Sequence, residues 1–326
     1  MDSSNGSANG TAHQTSPFLD HDQNTWPPRN RRPNPLDLIS SGGLGHAAQN
    51  HIMASQAQEK DDVQQTDSMS SSQTTEPSIS AALDLYDRQF LPGYPKSLSG
   101  IALRSCLLGA VLTASTTYTI YLLLPTCYSP LWRAPFFLAV LSLFHFLEFW
   151  TTAAYNTRSA QISSFLLSSN GVAYQGAHTF ALCELLITHY FFPTRRWLPS
   201  ATLHTILLSL GLFLILSGQI IRSIAMKDAG TNFNHIVQST KRSTHTLITS
   251  GIYAYFRHPS YFGFFWWAIG TQLVLGNILG FAIYWAVLWR FFSARIEGEE
   301  KLLVSFFGEE YVRYREKTRV GIPLIL

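Results

Sequence analysis

The most constraining feature of this chain is a series of apolar runs that begins near residue 100 of 326. The longer runs approach the roughly 20 residues that a helix needs to cross the ~30 Å hydrocarbon core of a bilayer. The mean hydropathy is barely positive, because a polar N-terminal quarter dilutes a strongly apolar remainder. The sequence therefore predicts an all-α, polytopic integral membrane protein and excludes a soluble fold.

The positions of the apolar runs predict about six transmembrane helices. The first four are expected at residues 100–124, 131–152, 174–192 and 201–224. Two shorter apolar helices, 262–276 and 278–292, are each marginal as a full span and are predicted to form a helical hairpin around Gly276 and Asn277. Residues 296–317 then predict a C-terminal amphipathic helix that lies on the bilayer surface.

Composition divides the chain into four regions. Residues 1–80 are rich in Ser, Asn, Gln and Thr and poor in aromatic residues, so they predict a disordered tail. Residues 81–99 form a polar lead-in, and residues 100–224 hold the first four spans. Residues 225–326 hold a long polar loop, the hairpin and the candidate active site.

The distribution of charge predicts the orientation of the chain in the membrane and limits the classes of binding partner. With six crossings, the N-terminus, the loops at 155–172 and 225–257 and the C-terminus share the face that carries most lysines and arginines, so both termini are expected in the cytosol. The net charge of +3 is small and the basic residues form no single stripe, which argues against nucleic acid. Cys106, Cys127 and Cys183 lack metal-ligand spacing, so they are interpreted as packing residues and no metal is expected.

The candidate active site combines the polar loop with titratable residues at both ends of the hairpin. His258 precedes Pro259, so it is expected at the mouth of the helix that follows, where Arg257 and free backbone N–H groups favour an anion. Arg295 and Glu299 are four residues apart and share one helix face. The alternative interpretation is a helix cap and a surface ion pair.

Among the ionisable residues inside the predicted spans, three are candidates for a functional role. His145 and Glu148 are three residues apart on the second span, and Glu184 lies in the third. A charged group within a bilayer needs a partner or a polar cavity. Structural hydrogen bonding and a functional role both remain open for these residues.

The C-terminal half resembles the isoprenylcysteine carboxyl methyltransferase family. The matching segments are Arg222-Ser-Ile-Ala-Met226, Ala229-Gly-Thr-Asn-Phe-Asn-His235, His245-Thr-Leu-Ile248, Ser250-Gly-Ile-Tyr253, Arg257-His-Pro-Ser-Tyr261, Arg295-Ile-Glu-Gly-Glu-Glu300 and Phe307-Gly-Glu-Glu-Tyr311. The resemblance implies an endoplasmic-reticulum enzyme that uses S-adenosyl-L-methionine to methylate the C-terminal prenylcysteine of processed CaaX proteins. Residues 225–326 would then be its membrane-embedded catalytic region.

The resemblance also assigns roles to individual positions. It implies cofactor contacts at Gln238, His245, Thr246, Leu247, Ile248, Tyr253, His258, Pro259, Ser260, Tyr261 and Glu299. It assigns Arg295 to the substrate, as the catalytic and substrate-binding residue. Gly298 departs from a run that is normally acidic and is expected to loosen the helix there.

Two other classes of function fit parts of the sequence. A membrane sterol reductase or a phospholipid N-methyltransferase would share the C-terminal architecture, and the reductase would need room for a nicotinamide dinucleotide. A non-enzymatic transporter or scaffold would use the buried acids Glu148 and Glu184 to carry ions. Binding of S-adenosylmethionine, as opposed to a dinucleotide or to neither, distinguishes a methyltransferase from a reductase and from a non-enzymatic protein.

Overall fold

The computed structural model describes residues 79–192, 200–241 and 245–325. Apart from its last two residues, the predicted disordered tail lies outside these ranges, as do residues 193–199 and 242–244. The described residues form eight α-helices, several short 3₁₀ turns and one isolated β-bridge. The helices are α1 (Ile79–Arg88), α2 (Leu98–Leu123), α3 (Arg133–Tyr155), α4 (Gly171–Phe191), α5 (Ala201–Ala229), α6 (Pro259–Leu275), α7 (Ile278–Phe307) and α8 (Glu309–Lys317).

Local sequence signals set several helix ends. Ser97 and Ser200 precede α2 and α5, and their hydroxyls accept hydrogen bonds from the N–H groups of Gly100 and Leu203 at 3.2 and 3.1 Å. Gly276 ends α6 with φ of +70°, the left-handed conformation that glycine adopts without strain. The helical architecture and the positions of the first four predicted spans agree with α2 to α5 within a few residues.

Three helical segments of the described chain are long and apolar enough to cross a membrane. They are Leu98–Leu123, Pro130–Tyr155 and Ala201–Asn232. The third predicted span corresponds to α4, and the predicted hairpin corresponds to α6 and the first half of α7. The total of six crossings therefore stays a prediction.

The predicted C-terminal amphipathic helix has different boundaries in the structure. Residues 296–307 continue α7, which runs for 30 residues from Ile278 to Phe307. The break comes at Gly308, where φ is +56°, and only residues 309–317 form the separate helix α8. Gly298 does not interrupt α7, because a single glycine costs a long helix only about 1 kcal/mol.

Helices α5 and α6 pack together more extensively than any other pair of the described helices. Two pairs of glycines make the close approach possible: a β-carbon on Gly218 would lie 2.6 Å from the Gly263 carbonyl oxygen, and one on Gly270 would lie 2.8 Å from that of Gly211. Small residues that let backbones touch are a main source of helix association in membranes. This contact holds the start of α6 beside the end of α5.

Gly218→Ala should destabilise the protein by about 1–3 kcal/mol, because the added methyl group meets backbone atoms that cannot move aside. Thermal unfolding in detergent would show a lower midpoint for this variant. Gly109→Ala is the matched control, since no atom lies within 4 Å of the position its β-carbon would take. Equal midpoints for the two variants would contradict the close packing.

Glu184 caps the N-terminus of α7 from the neighbouring helix α4. Its carboxylate accepts hydrogen bonds from the backbone N–H groups of Ile278 and Leu279 at 2.8 Å and of Gly280 at 2.6 Å. These are donors that a helix start leaves without intrahelical partners, and the helix dipole favours a negative charge there. The contacts of Glu184 are therefore those of a structural residue.

His145 has structural contacts as well. Its Nδ1 lies 2.8 Å from the Phe165 carbonyl oxygen, and its Nε2 lies 3.3 Å from the Tyr174 hydroxyl. The side chain thereby connects α3 to the turn before α4 and to α4 itself, as buried polar groups require.

Candidate active site

A cleft opens between the loop after α5, the start of α6, the second half of α7 and α8. The empty space of this open cleft is about 1000 Å³, a volume that includes open solvent. One part of the wall is polar and the other is apolar. The polar part comes from the loop and from His258, Tyr261 and Glu299, while Leu302, Leu303, Phe306 and Phe307 of α7 supply the apolar part.

Two side chains at and just after the end of α5 hold the backbone of the later part of the loop. The side-chain oxygen of Asn232 accepts from the Thr246 N–H at 3.1 Å, and Asp228 accepts from the Ile252 N–H at 2.9 Å. Gly251 has φ of +62°, and a β-carbon at this position would collide with the Asp228 carboxylate. These contacts anchor the loop backbone at Thr246 and Ile252.

The carboxylate of Glu300 lies beside the N-terminus of α6. Arg257 donates from Nε to Oε1 of Glu300 at 2.5 Å, and His258 Nε2 lies 3.4 Å from the same oxygen. The N–H groups of Tyr261 and Phe262 donate to the His258 carbonyl. Glu300 therefore pairs with the side chains of Arg257 and His258 at this helix mouth, and the anion expected at the backbone N–H groups stays a prediction.

Burial alone would raise the pKa of Glu300, but the hydrogen bonds and charges of His258 and Arg257 outweigh it and lower the pKa to about 2. Glu300 is therefore ionised at neutral pH. In the adjoining loop, burial and the nearby Glu299 charge raise the pKa of Tyr253. Tyr253 is accordingly a neutral phenol at the edge of the cleft.

Tyr261 joins Arg295 to Glu299. The Arg295 Nε donates to the Tyr261 hydroxyl at 2.9 Å, and that hydroxyl donates to Glu299 Oε2 at 2.8 Å. The guanidinium also lies 5.4 Å from the centroid of the Tyr261 ring. The two charged residues are therefore connected through a residue of α6, and the simple pair across one helical turn does not describe the arrangement.

The structure brings most of the predicted site residues to this cleft. Those that line it are Gln238, His245, Thr246, Leu247, Ile248, Tyr253, His258, Ser260, Tyr261 and Glu299. Pro259 does not line the cleft; it is buried as the first residue of α6. Arg295 does not line the cleft either; its Nε contacts the Tyr261 hydroxyl, and it lies one helical turn before Glu299.

Glu148 has two basic partners that the sequence pattern does not identify. Arg222 donates to both carboxylate oxygens, with Nη2 2.8 Å from Oε2. His235 Nε2 lies 3.0 Å from Oε2. The distribution of charge predicts Arg222 at the cytosolic face, but the structure buries it near the end of α5. A charged residue within an apolar helix indicates that it has a partner, but the partner can be identified only from the structure.

Several residues in or beside the cleft were not assigned a site role from the sequence, although Asn232 and Tyr311 lie within the matching segments. Asn232 and Asp228 act on backbone N–H groups, and Leu303 and Phe306 resemble any amphipathic helix face. Tyr311 of α8 also lines the cleft, and its hydroxyl is buried without a hydrogen-bond partner among the described residues. The structure itself marks Tyr311 as a candidate ligand-binding residue, because a buried polar group without a partner lowers stability.

Comparison with known proteins identifies the family. The sequence model of the isoprenylcysteine carboxyl methyltransferase family matches residues 210–305, which hold most of the cleft. A solved structure of a eukaryotic intramembrane Ras methyltransferase, isoprenylcysteine carboxyl methyltransferase, superposes with a TM-score of 0.62 and 35% identity. The match covers 75% of this chain and 83% of that one.

Curated relatives agree with the structural match. The protein-S-isoprenylcysteine O-methyltransferase of Saccharomyces cerevisiae is 49% identical over 58% of this chain and 79% of the relative. The Homo sapiens enzyme of that name is 40% identical over 69% of this chain and 75% of the relative. The resemblance found in the sequence is confirmed, and the sterol reductase, phospholipid methyltransferase and transporter alternatives lose their support. The chain belongs to the isoprenylcysteine carboxyl methyltransferase family of membrane methyltransferases.

Proposed function

We propose that this protein transfers a methyl group from S-adenosylmethionine to the carboxylate of a C-terminal prenylcysteine on processed CaaX proteins. The observation that carries the proposal is the Arg295–Tyr261–Glu299 arrangement, which places a cationic and an anionic group on the two sides of one phenol. The reaction needs both, because its substrate is a carboxylate and its cofactor carries an ammonium group. The family's curated relatives are named for this activity.

The residues of the cleft fit S-adenosylmethionine. Glu299 has a side chain that is 27% exposed and offers a carboxylate for an ammonium group. The apolar residues Leu303 and Phe306 offer a surface for an adenine ring. The Tyr311 hydroxyl, which has no hydrogen-bond partner among the described residues, can bond to a polar group of the cofactor. Gln238 and Thr246 add hydrogen-bonding groups on the loop wall.

When bound, S-adenosylmethionine supplies an electrophilic methyl group on a positively charged sulfur. The chain's task is to hold the nucleophile beside it. The substrate carboxylate is ionised at neutral pH, since a terminal carboxyl group has a pKa of about 3.5. No residue therefore has to act as a general base.

Arg295 is the residue that we assign to the substrate carboxylate. Its guanidinium carries five N–H groups, and the contacts to Tyr261 and to the His235 carbonyl use the Nε hydrogen and one on Nη2. Nη1 is then available for a charge-assisted hydrogen bond to the carboxylate. Such an orienting contact lowers the barrier mainly by fixing geometry.

The prenyl chain has an apolar route to Arg295 along α7. Phe291, Val287 and Ile283 precede Arg295 at intervals of four residues, and all three are exposed. Residues at this spacing lie on one helix face. The Arg295 guanidinium lies 5.8 Å from the Phe291 ring, so the apolar stripe leads directly to the proposed carboxylate site.

The experiment that tests this function is methyl ester formation by the purified protein in lipid nanodiscs. With methyl-labelled S-adenosylmethionine and N-acetyl-S-farnesylcysteine, we expect a base-labile methyl ester that releases labelled methanol. N-acetylcysteine without the prenyl chain is the matched control and should remain unlabelled. Absence of labelled ester with the farnesylated substrate would refute the proposal.

We further infer that the protein resides in the endoplasmic-reticulum membrane with both termini in the cytosol. The family resemblance supports the endoplasmic-reticulum membrane, and the excess of lysine and arginine on the face predicted to hold both termini supports the orientation. Protease treatment of sealed microsomes should remove tags from both ends. Protection of either tag would contradict this topology.

A further inference from the structure

We propose that Glu148 is a positioning residue for Arg295, which it orients through His235. This inference rests on the proposed function, because it concerns how Arg295 is held for the substrate carboxylate. Glu148 is 1% exposed in the middle of the packed helices and does not line the cleft. Its connection to Arg295 runs through two hydrogen bonds that meet at His235.

The first step is the fixation of the Glu148 carboxylate. Arg222 approaches it with two nitrogens, a geometry that fixes the plane of both groups. Arg222 is itself held, because Nη1 donates to the Ser260 carbonyl at 3.1 Å. The rings of Phe144 and Phe264 lie 5.6 and 5.4 Å from the Arg222 guanidinium. Glu148 therefore presents Oε2 in one direction only.

The second step is the anchoring of His235. Its Nε2 lies 3.0 Å from Glu148 Oε2, and an ionised carboxylate accepts only, so Nε2 carries a hydrogen and donates it. His235 belongs to the loop after α5, where no regular backbone ladder fixes the described chain. The side-chain bond to Glu148 anchors His235 itself, while the Asn156 amide holds the neighbouring backbone by donating to the Phe233 carbonyl at 2.9 Å. The Phe233 ring packs edge-on against the imidazole at 5.1 Å.

The third step is the orientation of Arg295. The His235 carbonyl accepts from Nη2 of Arg295 at 2.5 Å, while Tyr261 accepts from Nε at 2.9 Å. Two fixed acceptors on one edge of a planar group set the direction of its remaining N–H groups. Without the His235 anchor, one of the two acceptors can move, and the guanidinium can turn away from the substrate.

Two replacements of His235 separate anchoring from packing. His235→Phe keeps a ring against Phe233 but removes the donor to Glu148, whereas His235→Gln keeps a side-chain donor and removes the ring. The positioning role predicts that His235→Phe lowers the single-turnover rate of methyl transfer by about tenfold or more. His235→Gln should retain most of the wild-type rate. Both should bind S-adenosylmethionine within about twofold of wild type, because Arg295 and not Glu299 is affected.

A double-mutant cycle with Arg295→Lys completes the test. If His235 acts through Arg295, His235→Phe should change the rate by less than about twofold in the Arg295→Lys background. Full additivity, a larger loss in His235→Gln than in His235→Phe, or a loss that appears as weaker cofactor binding would each overturn the proposal. Absence of methyl transfer in the wild type would instead show that the proposed function itself has failed. Glu148→Gln is a less direct test, because it leaves Arg222 buried with a weakened partner and can prevent folding.

Discussion

Replacing Arg295 by lysine should lower methyl transfer by roughly 10²-fold while S-adenosylmethionine binding changes little. A lysine ammonium is a compact charge on a flexible chain, so it cannot contact Tyr261, the His235 carbonyl and a carboxylate in fixed directions at once. The substitution therefore disturbs how the nucleophile is held and leaves the cofactor's own partners in place. Single-turnover rates with N-acetyl-S-farnesylcysteine and cofactor dissociation constants measure the two quantities separately.

Arg290→Lys is the matched control for this change. Arg290 is exposed on the same helix, and the same substitution there should leave both quantities near the wild-type values. A mild loss shared equally between binding and turnover in Arg295→Lys would indicate a structural role, as expected of an ion pair worth only about 0.2–0.5 kcal/mol on an exposed helix.

Glu299→Gln should show the opposite pattern and weaken S-adenosylmethionine binding by about 10- to 100-fold. The change removes the charge that we assign to the cofactor's ammonium group, and a hydrogen bond to a charged group contributes about 1.5–3 kcal/mol. The amide oxygen can still accept from the Tyr261 hydroxyl, so the hydrogen bond that aligns Arg295 is preserved. Turnover at saturating cofactor should therefore fall much less than affinity.

The control for Glu299→Gln lies two residues away on α7. Glu297 is exposed and pairs with Lys301 at 2.7 Å, so Glu297→Gln removes the same charge from the same helix without touching the cleft. Its cofactor dissociation constant should match the wild type. If both glutamine variants weakened binding equally, a general effect of charge near the cleft would replace the specific role of Glu299.

The architecture and the cleft could be predicted to different extents. Apolar runs of about 20 residues impose helices, so α2 to α5 lie within a few residues of the positions that hydropathy predicts. The predicted end of the hairpin is wrong because apolarity stops near Phe292, while helix propensity continues through the polar residues up to Gly308. Hydropathy reports where a helix leaves the membrane and not where it ends.

The sequence could not show which distant residues contact each other. Glu148 and Arg222 are 74 positions apart, and Glu184 caps a helix that begins 94 positions later. Each residue could be marked as needing a partner, because charge inside a bilayer is costly, but any of several basic or polar groups could have met that need. The glycine pairs of α5 and α6 were likewise hidden, since a single glycine in an apolar run has no signature of its own.

Equilibrium binding of radiolabelled S-adenosylmethionine to the purified protein in nanodiscs tests the central claim most directly. The cleft should bind one equivalent saturably, S-adenosylhomocysteine should compete, and NADPH should not. Glu299→Gln should shift the curve to higher concentration, and Glu297→Gln should not. An absence of saturable binding, or displacement by the dinucleotide, would contradict the assignment of this cleft as the methyl-donor site.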